Sequence, residues 1–232
     1  MQIPLSTLNL ILFFFCDFTI EFNSQCGHSL NSSFLKRTKR ILGGEQVTLY
    51  DTWPWIVSIR RWGHHVCGGV IISPLFILTA AHCIPSTGLS IAYSLAQQSN
   101  LTSKDPRIRA ITKVYTSSNF SFDNMHHDLA ILQLERPLRK NLFNAICLPN
   151  PYENISIDTE VIAIGFGRER ESSTRSSDYL RQVKLKILSP LSDRCSKELT
   201  DPLTQLCVGS DIPNQGYRLT CFSSIRIIRT FL

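Results

Sequence analysis

The chain has 232 residues, of which 43% are hydrophobic and 18% are charged, so the composition predicts a packed core and excludes extensive disorder. The formal net charge of +6 does not indicate nucleic-acid binding, because four of the basic residues lie together at 36–40 and the rest are dispersed. We therefore expect no nucleic acid among the partners of this protein.

The N-terminus predicts a secretory signal peptide over residues 1–23, because Leu8 to Phe15 form a short apolar run that polar residues follow. Cleavage is expected between Cys16 and Cys26. The apolar run is too short to span a bilayer, and no later segment reaches about 18 uninterrupted apolar residues, so we expect no membrane anchor. Residues 24–40 are polar and basic, and we interpret them as a pro-segment.

From Trp53 onwards, short β-branched runs alternate with turn residues, and each run has the length of a strand. A break at Pro149-Asn150-Pro151 divides these runs into two series, and Ser189 to Leu199 have room for one short helix. The pattern predicts an all-β barrel or sandwich in two halves. Examples in the first series are the runs 55–59, 69–72, 76–79 and 129–134, and the second series consists of 160–164, 183–188 and 205–208.

Cysteines and sequons both favour a secreted, extracellular protein. Of eight cysteines, Cys16 is expected to leave with the signal, and the odd number that remains leaves one unpaired. No tight ligand spacing occurs, so we predict no metal site and interpret the His64-His65 and His126-His127 pairs as loop residues. Four Asn-x-Ser/Thr sequons are candidate glycosylation sites: Asn31, Asn100, Asn119 and Asn154.

Motifs of one protein family follow each other in order along the chain, from about residue 40 to residue 209. They are Arg40-Ile41-Leu42-Gly43-Gly44, Trp53-Pro54-Trp55-Ile56-Val57-Ser58-Ile59, Cys67-Gly68-Gly69-Val70-Ile71, Thr79-Ala80-Ala81-His82-Cys83, His127-Asp128-Leu129-Ala130-Ile131, Cys147-Leu148-Pro149 and Gly165-Phe166-Gly167. With these motifs the chain resembles a trypsin/chymotrypsin-type serine protease. The resemblance implies two β-barrels, at 41–150 and 151–221, followed by a divergent tail at 222–232.

The resemblance assigns catalytic roles to His82 and Asp128. A serine hydroxyl is a poor nucleophile until a base takes its proton, and an imidazole that titrates near neutral pH suits that task. His82 would be this general base, and Asp128 would fix its tautomer and stabilise the imidazolium. The family implies peptide-bond hydrolysis on protein or peptide substrates without a cofactor.

The family also implies a zymogen that is cleaved between Arg40 and Ile41. The sequence Arg37-Thr38-Lys39-Arg40 resembles a furin-type convertase site, and a trypsin-like activator cutting after Arg40 is the alternative. Both remain open. The disulfides that the family implies are Cys67–Cys83, Cys26–Cys147 and Cys195–Cys207, with Cys221 unpaired.

The pattern breaks after Cys221. Family spacing would put the nucleophilic serine four residues later, where the chain has Ile225, and Gly-Asp-Ser-Gly-Gly occurs nowhere in the 232 residues. Ser223 and Ser224 lack the neighbouring glycines that build an oxyanion hole. Leu219 would take the floor of the specificity pocket.

We therefore expect the nucleophile to be absent and the chain to be inactive. The abrupt divergence predicts a second barrel that is incomplete at its C-terminus, through a frame change, a retained intron or an alternative last exon. The alternative function is a secreted pseudoprotease that binds a protein partner or regulates one.

Overall fold

The computed structural model describes residues 26–28, 45–49, 51–84, 87–98, 101–150, 155–167, 175–193, 195–197, 199 and 205–209, and the backbone of 220–222. Several sequence predictions lie outside these residues. They are the signal peptide, most of the pro-segment, the Arg40-Ile41 junction, the sequons at Asn31, Asn100 and Asn154, and the tail from residue 223.

The described residues form eleven strands and one 3-10 turn. The strands are β1 (Glu45–Gln46), β2 (Ile56–Arg61), β3 (His64–Ser73), β4 (Phe76–Thr79), β5 (Leu89–Tyr93), β6 (Ile108–Thr116), β7 (Ala130–Leu134), β8 (Glu160–Gly165), β9 (Arg181–Ile187), β10 (Leu206–Gly209) and β11 (Thr220–Phe222). The 3-10 turn spans Ala81–Cys83. In this part of the chain no helix has the length and apolarity needed to cross a membrane.

The first half is a closed antiparallel barrel with the strand order β2-β3-β4-β7-β6-β5. Closure leaves no unpaired strand edge, and side chains that alternate inwards fill the interior. Val57, Ile59, Ile71, Ile77 and Leu132 are fully buried there. Each such side chain stabilises the fold by roughly 1.5–3 kcal/mol relative to exposure.

The second half is a five-stranded antiparallel sheet within the described residues. Strand β8 pairs with β9 along its length, while β1 and β10 share the opposite edge of β9, and β11 pairs with β10. Among these described residues, Leu185, Ile187 and Val208 form a separate buried cluster. The all-β, two-half architecture predicted from the sequence is confirmed. The sequence left room for one short helix within Ser189 to Leu199, but the described residues of this segment form turns.

Backbone hydrogen bonds connect the two halves directly. The Gln98 amide donates to the carbonyl of Asp178 at 2.8 Å, and the Leu180 amide donates to the carbonyl of Ala96 at 2.9 Å. The Val47 amide in turn donates to the carbonyl of Leu180 at 2.7 Å. Leu180 is fully buried and belongs to the same apolar cluster as the barrel residues, so the second half packs onto the closed barrel through this segment.

Disulfides join Cys26 to Cys147, Cys67 to Cys83 and Cys195 to Cys207 in the structure, the same pairs that the resemblance implies. The first of them holds the Cys26–His28 segment on the barrel, where the Asn144 side chain also donates a hydrogen bond of 2.9 Å to the carbonyl of His28. The backbone register places Cys221 opposite Cys207 on neighbouring strands.

Candidate active site

His82 lies in the 3-10 turn that follows β4. Its neighbours Ala81 and Cys83 are buried, while the His82 side chain is 39% exposed. The small Ala81 side chain allows the turn to pack closely on the barrel, and the Cys83–Cys67 disulfide joins it to β3. The local sequence thus anchors both neighbours of the histidine and leaves the imidazole at the surface.

Asp128 lies between a polar loop and β7, and its side chain is fully buried. The preceding loop contains two non-glycine residues in the left-handed region, Met125 at φ 55° and His127 at φ 53°. The Leu129 amide donates to the carbonyl of His127 at 2.7 Å, which closes a tight turn around Asp128. This turn directs the carboxylate inwards at the start of the strand.

The structure brings His82 and Asp128 together. His82 Nδ1 lies 2.7 Å from Asp128 Oδ2, and the His82 backbone amide donates to Asp128 Oδ1 at 2.8 Å. The carboxylate therefore fixes both the backbone and the ring of the same residue. With the proton on Nδ1, the lone pair of Nε2 is available to accept a proton from a reacting group.

Nε2 of His82 contacts no hydroxyl group among the described residues. Its neighbour is Cys83 Sγ at 3.5 Å, a disulfide sulfur with no proton to give. Residues 223–225, which follow β11, lie outside the described chain. The structure therefore brings the His82 imidazole and the Asp128 carboxylate together, and among the described residues it places no hydroxyl group beside Nε2.

One cluster has the composition of a metal site. Cys67, His82 and Cys83 present potential ligand atoms within 4.8 Å of one another. However, the two sulfurs are bonded to each other, and metal binding by cysteine requires thiolates. In the oxidised protein this cluster supplies only the imidazole.

His65 is a second histidine with a defined environment, and its place in the fold differs from the sequence-based interpretation. The interpretation of His64 and His65 as loop residues is wrong, because β3 begins at His64. His65 Nδ1 lies 2.8 Å from Ser58 Oγ on β2, and its ring meets the Phe166 ring edge to face at 5.5 Å. Burial, and then the Arg60 guanidinium, lower the pKa of His65 from 6.5 to about 4, so the ring is neutral at physiological pH.

Gln98 extends this buried polar cluster into the second half. Its Oε1 accepts a hydrogen bond from Ser58 Oγ at 3.5 Å, and its Nε2 donates to the carbonyl of Ser177 at 2.6 Å. A serine inside the apolar run of β2 was the available sequence signal, since a polar residue there must find a partner. The partner itself depends on the pairing of strands and was not predictable.

Comparison with known proteins settles the family. The protein-family model described as Trypsin matches residues 41–222, which is most of the chain. The chain belongs to the trypsin family. It is 31% identical over 203 residues to Ovochymase-2 of Mus musculus, an alignment that covers 81% of this chain and 33% of that protein. The chain thus spans about a third of the length of this curated relative.

Solved structures agree with the fold of the trypsin family. A structure of HBP has a TM-score of 0.63 at 23% identity and covers 79% of this chain and 81% of its own. A structure of human heparin-binding protein has a TM-score of 0.62 at 24% identity and covers 79% and 82%. At these identities the likeness supports the architecture, and it carries no conclusion about binding.

Proposed function

We propose that this chain is a secreted trypsin-family protein that retains the general-base histidine and its aspartate but does not hydrolyse peptide bonds. The observation that carries the proposal is a contrast. The His82–Asp128 pair is fully assembled, with two hydrogen bonds to the carboxylate, whereas Ile225 occupies the position that family spacing assigns to the serine. By descent the chain belongs with serine-type endopeptidases that act on proteins or peptides.

The chemistry shows what the pair lacks. In a serine protease the base takes the proton from the serine hydroxyl as its oxygen attacks the scissile carbonyl, and backbone amides stabilise the oxyanion that forms. Isoleucine has no hydroxyl, so His82 has no proton to accept at that position. Ser223 and Ser224 lack the glycines of the oxyanion loop, and the loss of one oxyanion donor alone lowers the rate by about 10²–10³.

Secretion and activation are the second part of the proposal. Three disulfides favour an oxidising compartment, and the apolar N-terminal segment supplies a leader for entry into it. Cleavage after Arg40, by a proprotein convertase or a trypsin-like activator, would free the Ile41 amine. The Cys26–Cys147 disulfide would keep the pro-segment attached after the cut.

A binding function is the second candidate, and one exposed side chain favours it. Trp62 is 68% exposed in the two-residue turn between β2 and β3, and its ring lies against Gly88. Arg61 and His64 flank it and are also exposed. Tryptophan and arginine are enriched among the residues that dominate protein–protein interfaces. The candidate is therefore a pseudoprotease that binds a protein partner through this turn.

An active-site serine probe tests the main proposal. The full chain, expressed through the secretory pathway and cut after Arg40, is incubated with a fluorophosphonate, with trypsin as the positive control. We expect no labelling above that of His82→Ala. We also expect Ile225→Ser to remain unlabelled, because a hydroxyl without an oxyanion loop is insufficient. Labelling of the wild-type chain that His82→Ala abolishes would overturn the proposal.

Surface plasmon resonance with an immobilised Kunitz-type protease inhibitor tests the binding function. The second candidate predicts reversible binding without cleavage of the inhibitor, weakened at least about tenfold by Trp62→Ala, as expected for an interface anchor. Phe122→Ala is the matched control, since Phe122 is also 68% exposed but lies in another loop. Equal losses of inhibitor affinity in Trp62→Ala and Phe122→Ala would argue against a role of the β2–β3 turn in binding.

A further inference from the structure

The loop before Asp128 presents one sequon to solvent. Asn119, Phe120 and Ser121 form this sequon, and Asn119 is exposed. Ser117 holds the backbone here, because its Oγ accepts from the Asn119 amide at 3.2 Å and its carbonyl accepts from the Phe120 amide at 3.1 Å. The carboxamide of Asn119 makes no hydrogen bond to the described residues, so its nitrogen is free to be modified.

An aromatic pair follows Asn119 directly. The Phe120 and Phe122 rings meet edge to face, with centroids 4.7 Å apart. Phe122 is 68% exposed, although burial of a phenylalanine side chain is favourable. A large apolar ring left in water, supported by a second ring, forms an apolar surface that a ligand can cover.

We propose that Asn119 carries an N-linked glycan and that the first sugars of this glycan lie on the Phe120–Phe122 pair. The inference rests on the proposed secretion and is independent of the proposed loss of catalysis. Asn119 and Phe122 are three residues apart, so their Cα atoms are at most about 11 Å apart, within reach of a disaccharide. The C–H faces of the sugars replace water on the exposed ring, and this burial of apolar surface is favourable.

The modification is a group transfer from a lipid-linked oligosaccharide diphosphate. The bond between Asn119 Nδ2 and sugar C1 forms as the bond between C1 and the diphosphate oxygen breaks. The lipid diphosphate leaves with the electron pair of that bond, and one Nδ2 proton passes to a base of the transferase. Glycosylation of Asn-x-Ser/Thr adds a bulky solubilising group at the surface, which fits the exposure of this loop.

Glycopeptide mass spectrometry of the full chain from mammalian cells tests the site. The chain is produced with its own leader and, in parallel, with a replacement secretory leader, and both secreted and cell-retained protein are digested. We expect more than half of the Asn119 peptides to be glycosylated. Unmodified Asn119 in protein that is glycosylated at Asn31, Asn100 or Asn154 would overturn the inference, as would an absence of glycan from both preparations. Glycan at Asn119 only with the replacement leader would support the inference and refute the predicted signal peptide.

A double-mutant cycle tests the contact with the rings. Binding of a hydrophobic fluorescent dye is measured for the wild type, Asn119→Gln, Phe122→Ser and the double variant, with Asn100→Gln as the control for loss of a glycan elsewhere. We expect Asn119→Gln to raise dye binding at least twofold when Phe122 is present and not at all in the Phe122→Ser background. Enzymatic removal of the glycan from folded wild type replaces Asn119→Gln if that variant is not secreted. If Asn119→Gln raised dye binding equally in the wild-type and Phe122→Ser backgrounds, the inference that the glycan covers the Phe120–Phe122 pair would be overturned.

Discussion

At the scale of single residues, the candidate site depends on one buried carboxylate. Asp128 accepts one hydrogen bond from the backbone of His82 and contacts its ring with the other oxygen. Both residue types were predictable from their motifs, because each motif specifies the chemistry of its own residue. The Ser58–His65–Gln98 cluster was not predictable, because its members meet only through strand pairing.

Asp128→Asn should lower the free energy of unfolding by about 1–3 kcal/mol. The variant keeps the shape of the side chain, but one oxygen becomes an amide that cannot accept from both His82 groups, and hydrogen bonds to charged acceptors contribute this much. Urea denaturation followed by circular dichroism measures the change. His82→Ala is the control, because it retains the backbone bond to Oδ1. An unchanged midpoint for Asp128→Asn would contradict the structural role of the carboxylate.

His65 should make the protein less stable as the pH falls. Its folded pKa of about 4 lies below the ordinary value of 6.5, so the unfolded chain binds a proton first. Stability is fully present above pH 6.5 and is lost between pH 6.5 and about pH 4, by at most about 3 kcal/mol.

Urea midpoints at pH 7.0 and pH 4.5 test this effect in the wild type and in His65→Gln. The difference between the two proteins isolates His65, because the other titrating groups are common to both. The wild type should lose more stability than the variant over this interval. Equal losses of stability in the two proteins would show that the surroundings of His65 do not lower the pKa of its imidazole.

At the scale of elements, the runs named from the sequence match several apolar strands but include neither the apolar β5 nor the polar β6. Strand β4 has the predicted bounds, and β7 and β8 begin or end within one residue of theirs. In contrast, β6 has five exposed residues among nine and was not identified. Its stability comes from pairing with β5 and β7, and hydrophobic patterning does not record that pairing.

Gly88→Ala should destabilise the β2–β3 turn more than Gly63→Ala does. Both glycines have positive φ, at 77° and 83°, so a Cβ strains the backbone at each position. A Cβ at Gly88 would also lie 2.7–2.8 Å from the Trp62 ring, whereas a Cβ at Gly63 would meet nothing within 4 Å. We expect about 1 kcal/mol for Gly63→Ala and about 2–3 kcal/mol for Gly88→Ala.

Thermal unfolding of the single variants, and of each combined with Trp62→Ala, measures this difference. The extra cost of Gly88→Ala should disappear when the ring is removed, because only the backbone term remains. If Gly88→Ala still costs more than Gly63→Ala without the Trp62 ring, then this ring does not contact Gly88 in solution.

At the scale of the whole molecule, the described residues of the two halves form cores of very different size. Closure of the first barrel buries a continuous apolar cluster, whereas the described part of the second half buries Leu185, Ile187 and Val208. The sequence predicted two halves with an incomplete second barrel, but it did not predict the size of either core, because apolar runs of similar length occur in both. Whether a run becomes buried depends on what the neighbouring strands place over it.

Hydrogen exchange should show that the second half opens first. Amides of β2, β4 and β7 should be protected at least about tenfold more than amides of β8 and β9, because local opening costs less where fewer apolar contacts are broken. Exchange followed by peptide mass spectrometry provides the comparison. The disulfide-bonded segment around Cys195 is excluded from it. Equal protection in both halves would mean that the molecule opens as one cooperative unit.

The position of Trp53 at the boundary between the halves has a spectroscopic consequence. The chain has three tryptophans, and its Trp53 Nε1 donates to Gln182 Oε1 on β9 at 2.6 Å. Trp55 is buried in the barrel and meets Trp53 edge to face at 5.6 Å, while Trp62 is exposed. Separation of the halves exposes Trp53 to solvent while Trp55 stays buried. Trp62 is exposed throughout, so its fluorescence does not change. Intrinsic fluorescence should therefore shift to longer wavelengths in two steps, the first reporting undocking of the second half and the second reporting the opening of the barrel.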